Sequence, residues 1–191
     1  ESICYDRLDW SYIGMVVRPK HYTVEEILTS VGLCWVALDR VSNLQSLGTI
    51  LRTSHAIQGE GIIVLHPDND IYNPSCIKAS EGAIFSQKVI KIDYQEFVKW
   101  KREVEDKVFL VGHDLPGVAS RDYKTVKYRK PLIFIMSHTD LNLPPLYRDV
   151  CDCIVHVPTI PNVEGRDDHL DSATTAGLLM YEVFNQQRGV V

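Results

Sequence analysis

Ser46-Leu47-Gly48-Thr49-Ile50-Leu51-Arg52-Thr53 places an arginine and a hydroxyl one helical turn beyond a glycine. The stretch follows a strand-like run, residues 34–41, and opens a helix-like run that ends near Ile57. A small residue and a glycine at such a turn let the backbone approach a ligand closely. Arg52 then projects from the first helical turn toward that ligand, and its planar fork suits phosphate. A second stretch, residues 121–130, combines five basic residues, including Arg121, Lys124, Lys127 and Arg129, with Tyr123 and Tyr128. Such a mixture offers charges to phosphates and rings to bases; its plainer reading is a solvated loop entering the next strand. His138 and His169 share the polar segments with Asp140, Asp167, Asp168 and Asp171. Their spacings match no helix-face metal pattern, so no metal site is assigned.

The elements that must position these groups alternate along the chain. Short apolar strands are expected at 34–38, 61–65, 88–92, 107–111, 132–136 and 153–157. Their nearly continuous apolar character predicts an α/β fold with a mainly parallel sheet of about six strands, covered on both faces. Asn73-Pro74 and Asp93 with Glu96 are helix starts, and Phe97, Trp100 and Val104 share one face. Lys99-Trp100-Lys101-Arg102 reads as the polar side of that helix. Ala176, Leu179, Met180 and Val183 form an apolar stripe on the last helix. Thr23 caps a short helix over 24–28. Residues 1–32 have no clean period and read as an extension, leaving 33–191 as the domain.

Composition narrows the class. The chain has 191 residues, 45% hydrophobic and 24% charged, the size of one globular domain. It opens on Glu1 rather than methionine, so the natural start is expected to be missing. Its longest apolar runs are too short to span a bilayer and no cleavable signal is visible. The five cysteines include no C-x-x-C pair and fit free thiols in a reducing compartment, the cytoplasm or an organelle such as the mitochondrion. Net charge is −5, which argues against tight sequence-independent RNA binding by a monomer while allowing a local basic stripe.

Three segments, in order, resemble the SpoU/TrmH branch of the SPOUT RNA methyltransferases. The first family pattern is N-x-G-x-x-x-R-[ST]; Gly48, Arg52 and Thr53 match and Ser46 replaces the asparagine. The second is a strand, G-[NE]-E-x-x-G-[LI], a short helix and C-D. Here the strand, Leu143, Cys151-Asp152 and Val157-Pro158 match, while Ser137, Thr139 and Asn142 stand near the missing glycines and glutamate. The third is V-x-S-L-N-V-S-x-A-x-x-L-L-Y-E. The helix from Ala176 to Glu182 matches, His169 and Asp171 replace serine and asparagine, Ala173 replaces a serine, and the loop at 165–168 is longer.

Over residues 33–187 the resemblance implies a parallel sheet with a C-terminal trefoil knot, threaded within about 131–181. It implies S-adenosylmethionine as cofactor, held near Gly112, Ser137, Thr139, Val157, Thr159, Leu170 and Asp171. Arg52 and Ser46 inherit the catalytic places, Arg52 acting on the ribose 2′-hydroxyl and its phosphate. A homodimer through the last helix, or a heteromer using the same face, is also implied. The exchanged loop residues imply weak or absent cofactor binding. Two readings follow: a divergent ribose 2′-O-methyltransferase acting on rRNA or tRNA, and an inactive RNA- or protein-binding relative, for example in ribosome assembly.

Overall fold

The computed structural model describes residues 16–40, 43–66, 70–116, 120–137, 142–160 and 170–188. Seven strands form one sheet: β1 (Trp35–Leu38), β2 (Gly61–Val64), β3 (Lys88–Lys91), β4 (Phe109–His113), β5 (Arg121–Asp122), β6 (Leu132–Met136) and β7 (Cys153–His156). Their order is β3-β2-β1-β6-β4-β7-β5, and every pairing is parallel. The six expected strands are all present. The two-residue β5 was not expected, since Arg121-Asp122 carries no apolar signal.

Both faces of the sheet are covered, so alternate strand residues enter different cores. Val36, Leu38, Phe134 and Met136 pack under α1 (Leu44–Ala56), α2 (Pro74–Ser80) and α5 (Ser172–Arg188). Trp35, Ala37, Ile133 and Ile135 pack under α3 (Tyr94–Val104) and α4 (Pro145–Arg148). Val24 and Ile27, from a 3₁₀ turn at Val24–Thr29 rather than an α-helix, join that second core. The α5 stripe, Ala176, Leu179, Met180 and Val183, is buried in the chain's own first core. One chain therefore covers that stripe itself, while Leu178 and Tyr181 of the same helix stay exposed.

One sequence expectation needs correction here. Trp100 and Lys101 are buried, not on the polar side of α3. Lys101 Nζ lies 3.4 Å from Asp152 Oδ2 and donates to Glu105 O at 2.7 Å. A cation can stay in so dry a place only when paired and hydrogen-bonded. Asp152 also accepts from Leu110 N at 2.7 Å, so the Cys-Asp step fastens β7 to β4.

Candidate active site at the carboxy-terminal rim

Parallel α/β sheets bind ligands at the carboxyl ends of their strands. That rim is where the site residues gather. α1 begins at Leu44, and Asn43 caps it by accepting from Gln45 N at 2.9 Å and Ser46 N at 3.3 Å. Ser46 and Gly48 thus lie inside the helix rather than at its entry turn. A Cβ on Gly48 would stand 2.5 Å from Cys76 O and 2.7 Å from Ala79 Cβ. The close approach that Gly48 permits is of α1 to α2, not of backbone to ligand.

Asp171 starts α5 in the same manner. Its carboxylate accepts from Ala173 N at 2.9 Å, Thr174 N at 3.1 Å and the Thr174 hydroxyl. The Thr174 hydroxyl, together with these amides, holds the Asp171 carboxyl below its ordinary range. The two capped helix starts face each other across a groove of about 520 Å³. Ser46, Thr49 and Thr53 line it from α1, and Asp171, Thr174 and Gly177 from the α5 side. Thr49 and Thr53 donate their hydroxyl protons to Gln45 O and Thr49 O, which leaves their oxygens as acceptors. Ser46 and Asp171, far apart in sequence, are brought together. Among the described residues no cation lines the groove.

Arg52 is not among the lining residues. Its Nη1 lies 2.7 Å from Glu81 Oε1, just past the end of α2, with both side chains more than half exposed. Gly112 is buried in β4; a Cβ there would meet Leu143 Cδ2 at 2.6 Å and Ile154 Cδ1 at 2.7 Å, so its bareness serves packing. Val157 and Leu170 pack into the first core, on the other face of the sheet, and Thr159 follows in half-buried chain. Thr139, His138, Asp140, Asp167, Asp168 and His169 lie outside the described residues. Among the described residues no cluster of three His, Cys, Asp or Glu is placed to hold a metal.

Sequence reasoning missed two buried carboxylates at the rim. Asp39 follows β1 and accepts from Tyr147 Oη at 3.0 Å and Ser137 Oγ at 3.4 Å; His66 Nε2 lies at 2.7 Å. Burial, with Asp39 beside it, raises the Tyr147 hydroxyl well above its ordinary range. Asp114 follows β4, faces the Arg148 guanidinium, and accepts from Leu143 N at 3.1 Å. For Asp39 the signal was an acid directly after the wholly apolar β1, where the chain leaves the sheet without leaving the interior. Next to these, His113 is held neutral: burial, then His156, lowers its pKa to about 4. His156 Nδ1 lies 2.9 Å from Ser120 Oγ.

The basic stretch behaves differently from its expectation. Tyr123 is buried, and the Tyr128 ring meets Phe134 edge-on while its hydroxyl donates to Tyr123 O at 2.6 Å. Neither ring is free to stack on a base. Arg129 donates to Asp106 O at 2.8 Å and lies over Phe109, at the amino ends of the strands. Arg121, Lys124 and Lys127 remain exposed.

A parallel sheet with both faces covered, and a polar groove between two helix starts at its carboxyl rim, defines an open α/β protein of ligand-binding type. The model of the SpoU rRNA Methylase family matches residues 34–181, and the chain belongs to that family. It is 25% identical over 156 residues to the 23S rRNA (uridine(2479)-2′-O)-methyltransferase of Streptomyces viridochromogenes, covering 80% of this chain and 52% of that one. It is 26% identical over 157 residues to YacO of Bacillus subtilis, called a putative TrmH family tRNA/rRNA methyltransferase, covering 82% and 60%. It thus spans little more than half the length of these relatives. The crystal structure of an AdoMet-bound rRNA methyltransferase from Sinorhizobium meliloti superposes with a TM-score of 0.70 at 28% identity, over 83% of this chain and 57% of that one.

Proposed function

We propose that the chain is the catalytic part of an S-adenosylmethionine-dependent RNA ribose 2′-O-methyltransferase acting on rRNA or tRNA. The observation that carries this is the meeting of Ser46 and Asp171, from the first and third family segments, in one hydroxyl-rich groove. Ser46, Thr49, Thr53 and Asn43 there can hydrogen-bond a nucleoside's ribose and base edge.

The cofactor fits the adjoining rim. Val157 and Leu170 offer an apolar wall to adenine, and Thr159 a hydroxyl. Beyond His156 the chain leaves the strand ladder, so backbone groups over 157–160 are available to a ligand. Ser137 follows β6 at the same rim. When bound, the cofactor supplies a methyl group on a positively charged sulfur, which the Asp171 carboxylate tolerates. Arg52 takes the phosphate of the target nucleotide and orients its 2′-hydroxyl. An exposed ion pair is worth only about 0–1 kcal/mol, so a phosphate can displace Glu81. Arg121, Lys124, Lys127 and Arg129 are kept as outlying phosphate contacts.

The same reading includes a trefoil knot within 131–181 and a domain over 33–191 with 1–32 as an extension. A second copy would pack on the outer side of α5, where Leu178 and Tyr181 are exposed; light scattering showing a monomer at micromolar concentration would sink it. Family relatives support an intracellular enzyme, and no described helix is long and apolar enough to cross a membrane.

Calorimetry with S-adenosylmethionine, followed by mass spectrometry of rRNA and tRNA incubated with the protein, tests the reading. Cofactor binding and a 2′-O-methyl nucleoside are expected, with Arg52→Ala abolishing transfer and leaving cofactor binding nearly unchanged. RNA binding without cofactor heat or methyl transfer would establish the inactive alternative instead.

A further inference from the structure

A second groove, about 540 Å³, lies on the opposite face of the sheet and has no part in the chemistry above. Tyr94, Val98 and Leu146 form its apolar lining, and Lys99, Arg102 and Glu103 its polar one. Lys99 and Arg102 are three residues apart on α3 and therefore project from one side, separated by a rise of about 4.5 Å. Among the described residues neither has an acidic partner. Two cations against one carboxylate, Glu103, leave the groove lining positive in a chain of net charge −5.

The upper end of the groove is an aromatic platform. Tyr94 stacks on His66 with ring centroids 5.8 Å apart and planes at 28°. His66 is held by Asp39, whose carboxylate can only accept, so the imidazole Nε2 carries the hydrogen. Asp39 is itself fixed by Tyr147. The platform is thus set by a buried anchor at the strand ends, and His66 remains one-third exposed. Rigid rings beside unpaired cations are the chemistry that single-stranded nucleic acid meets on its binding proteins.

We infer that this groove takes a single-stranded RNA segment, with a base against the His66–Tyr94 pair and neighbouring phosphates at Lys99 and Arg102. The inference rests on the methyltransferase reading, which supplies the RNA substrate. It places RNA contact on α3, where sequence gave only a helix surface, rather than on the tyrosines of 121–130.

Fluorescence anisotropy with a fluorescein-labelled twelve-nucleotide oligouridine, titrated at 50–200 mM salt, tests it. Lys99→Gln with Arg102→Gln is expected to weaken binding at least about tenfold and to lower the salt slope by about 1.4, the value for two single-strand phosphates. Tyr94→Leu is expected to weaken binding at least about fivefold with the slope unchanged, and circular dichroism checks its fold. Unchanged affinity and slope in the double variant, or no binding by the unaltered protein at 50 mM salt, would overturn the inference. Calorimetry with S-adenosylmethionine on the same samples separates the two ideas: retained cofactor binding with unaltered RNA affinity removes only the α3 groove, whereas absent cofactor binding removes the enzyme reading.

Discussion

The α1–α5 groove and the 121–130 stretch are both rich in polar side chains, yet they direct them in opposite ways. In the groove, helix caps satisfy the backbone and leave hydroxyl and amide groups facing solvent. Asn43 and Asp171 hold the two helix starts, and Ser46, Thr49 and Thr53 stand between them. Along 121–130 the polar groups close the fold. Tyr128 bonds Tyr123 O, Arg129 bonds Asp106 O, and Gln186 of α5 bonds Val126 O. A ligand site needs polar atoms that the protein itself leaves unanswered; polar content alone does not make one.

The sharpest way to break this contrast is to move α1. Gly48→Val sets a side chain against the α2 backbone at Cys76 O, and forcing the helices apart should cost about 3 kcal/mol. Chemical denaturation would measure it, and the groove should be lost with the stability. A loss under about 1 kcal/mol would show that α1 can shift without cost.

The rim can be tested by pH. His113 has a folded pKa near 4 against an ordinary 6.5, so the unfolded chain binds the extra proton first. Its contribution is full above about pH 6.5 and is lost as pH falls toward 4, on the order of 3 kcal/mol. His113→Phe should flatten that window in pH-dependent thermal melts.

Two matched substitutions compare the regions directly. Asp171→Ala removes a helix cap and should cost about 1 kcal/mol. Because the Asp171 carboxyl is held low, its contribution is present above its unfolded pKa and lost as pH falls through the lower folded one. The variant should therefore lose part of the parent's acid sensitivity and, through the groove, RNA binding as well. Tyr128→Phe should cost about 1 kcal/mol by stranding Tyr123 O, with RNA binding unchanged. Equal effects on RNA binding would erase the distinction drawn here.

The smallest expected effect concerns Arg52. Glu81→Gln should alter stability by less than about 0.5 kcal/mol while releasing Arg52 for phosphate. RNA affinity should rise, and a fall would mean that the pair is needed to position the arginine.

The sheet was legible because six short strands are nearly continuous in apolar character, as double-sided burial requires. The helix starts were legible at Asn73 and Asp93, whose side chains do cap. What the sequence did not disclose was phase. Gly48, Ser46 and Arg52 were grouped by spacing, but in a helix they face three directions: α2, the groove, and Glu81. The tyrosines of 121–130 were misplaced for a related reason, since amphipathic rings suit a core edge as well as a surface. Asp39 and Asp114 escaped notice because a buried carboxylate is defined by partners from distant segments, Tyr147 and Leu143 among them.

Asp39 and Asp114 also have a bearing on how this chain tolerates change. One holds Ser137 and the other holds Leu143, so the connection between them begins and ends at fixed posts. Closing a chain segment costs entropy, and here the closure is set by residues outside the segment. Replacing either carboxylate should therefore release one anchored end, Ser137 or Leu143, and loosen the rim from that side alone.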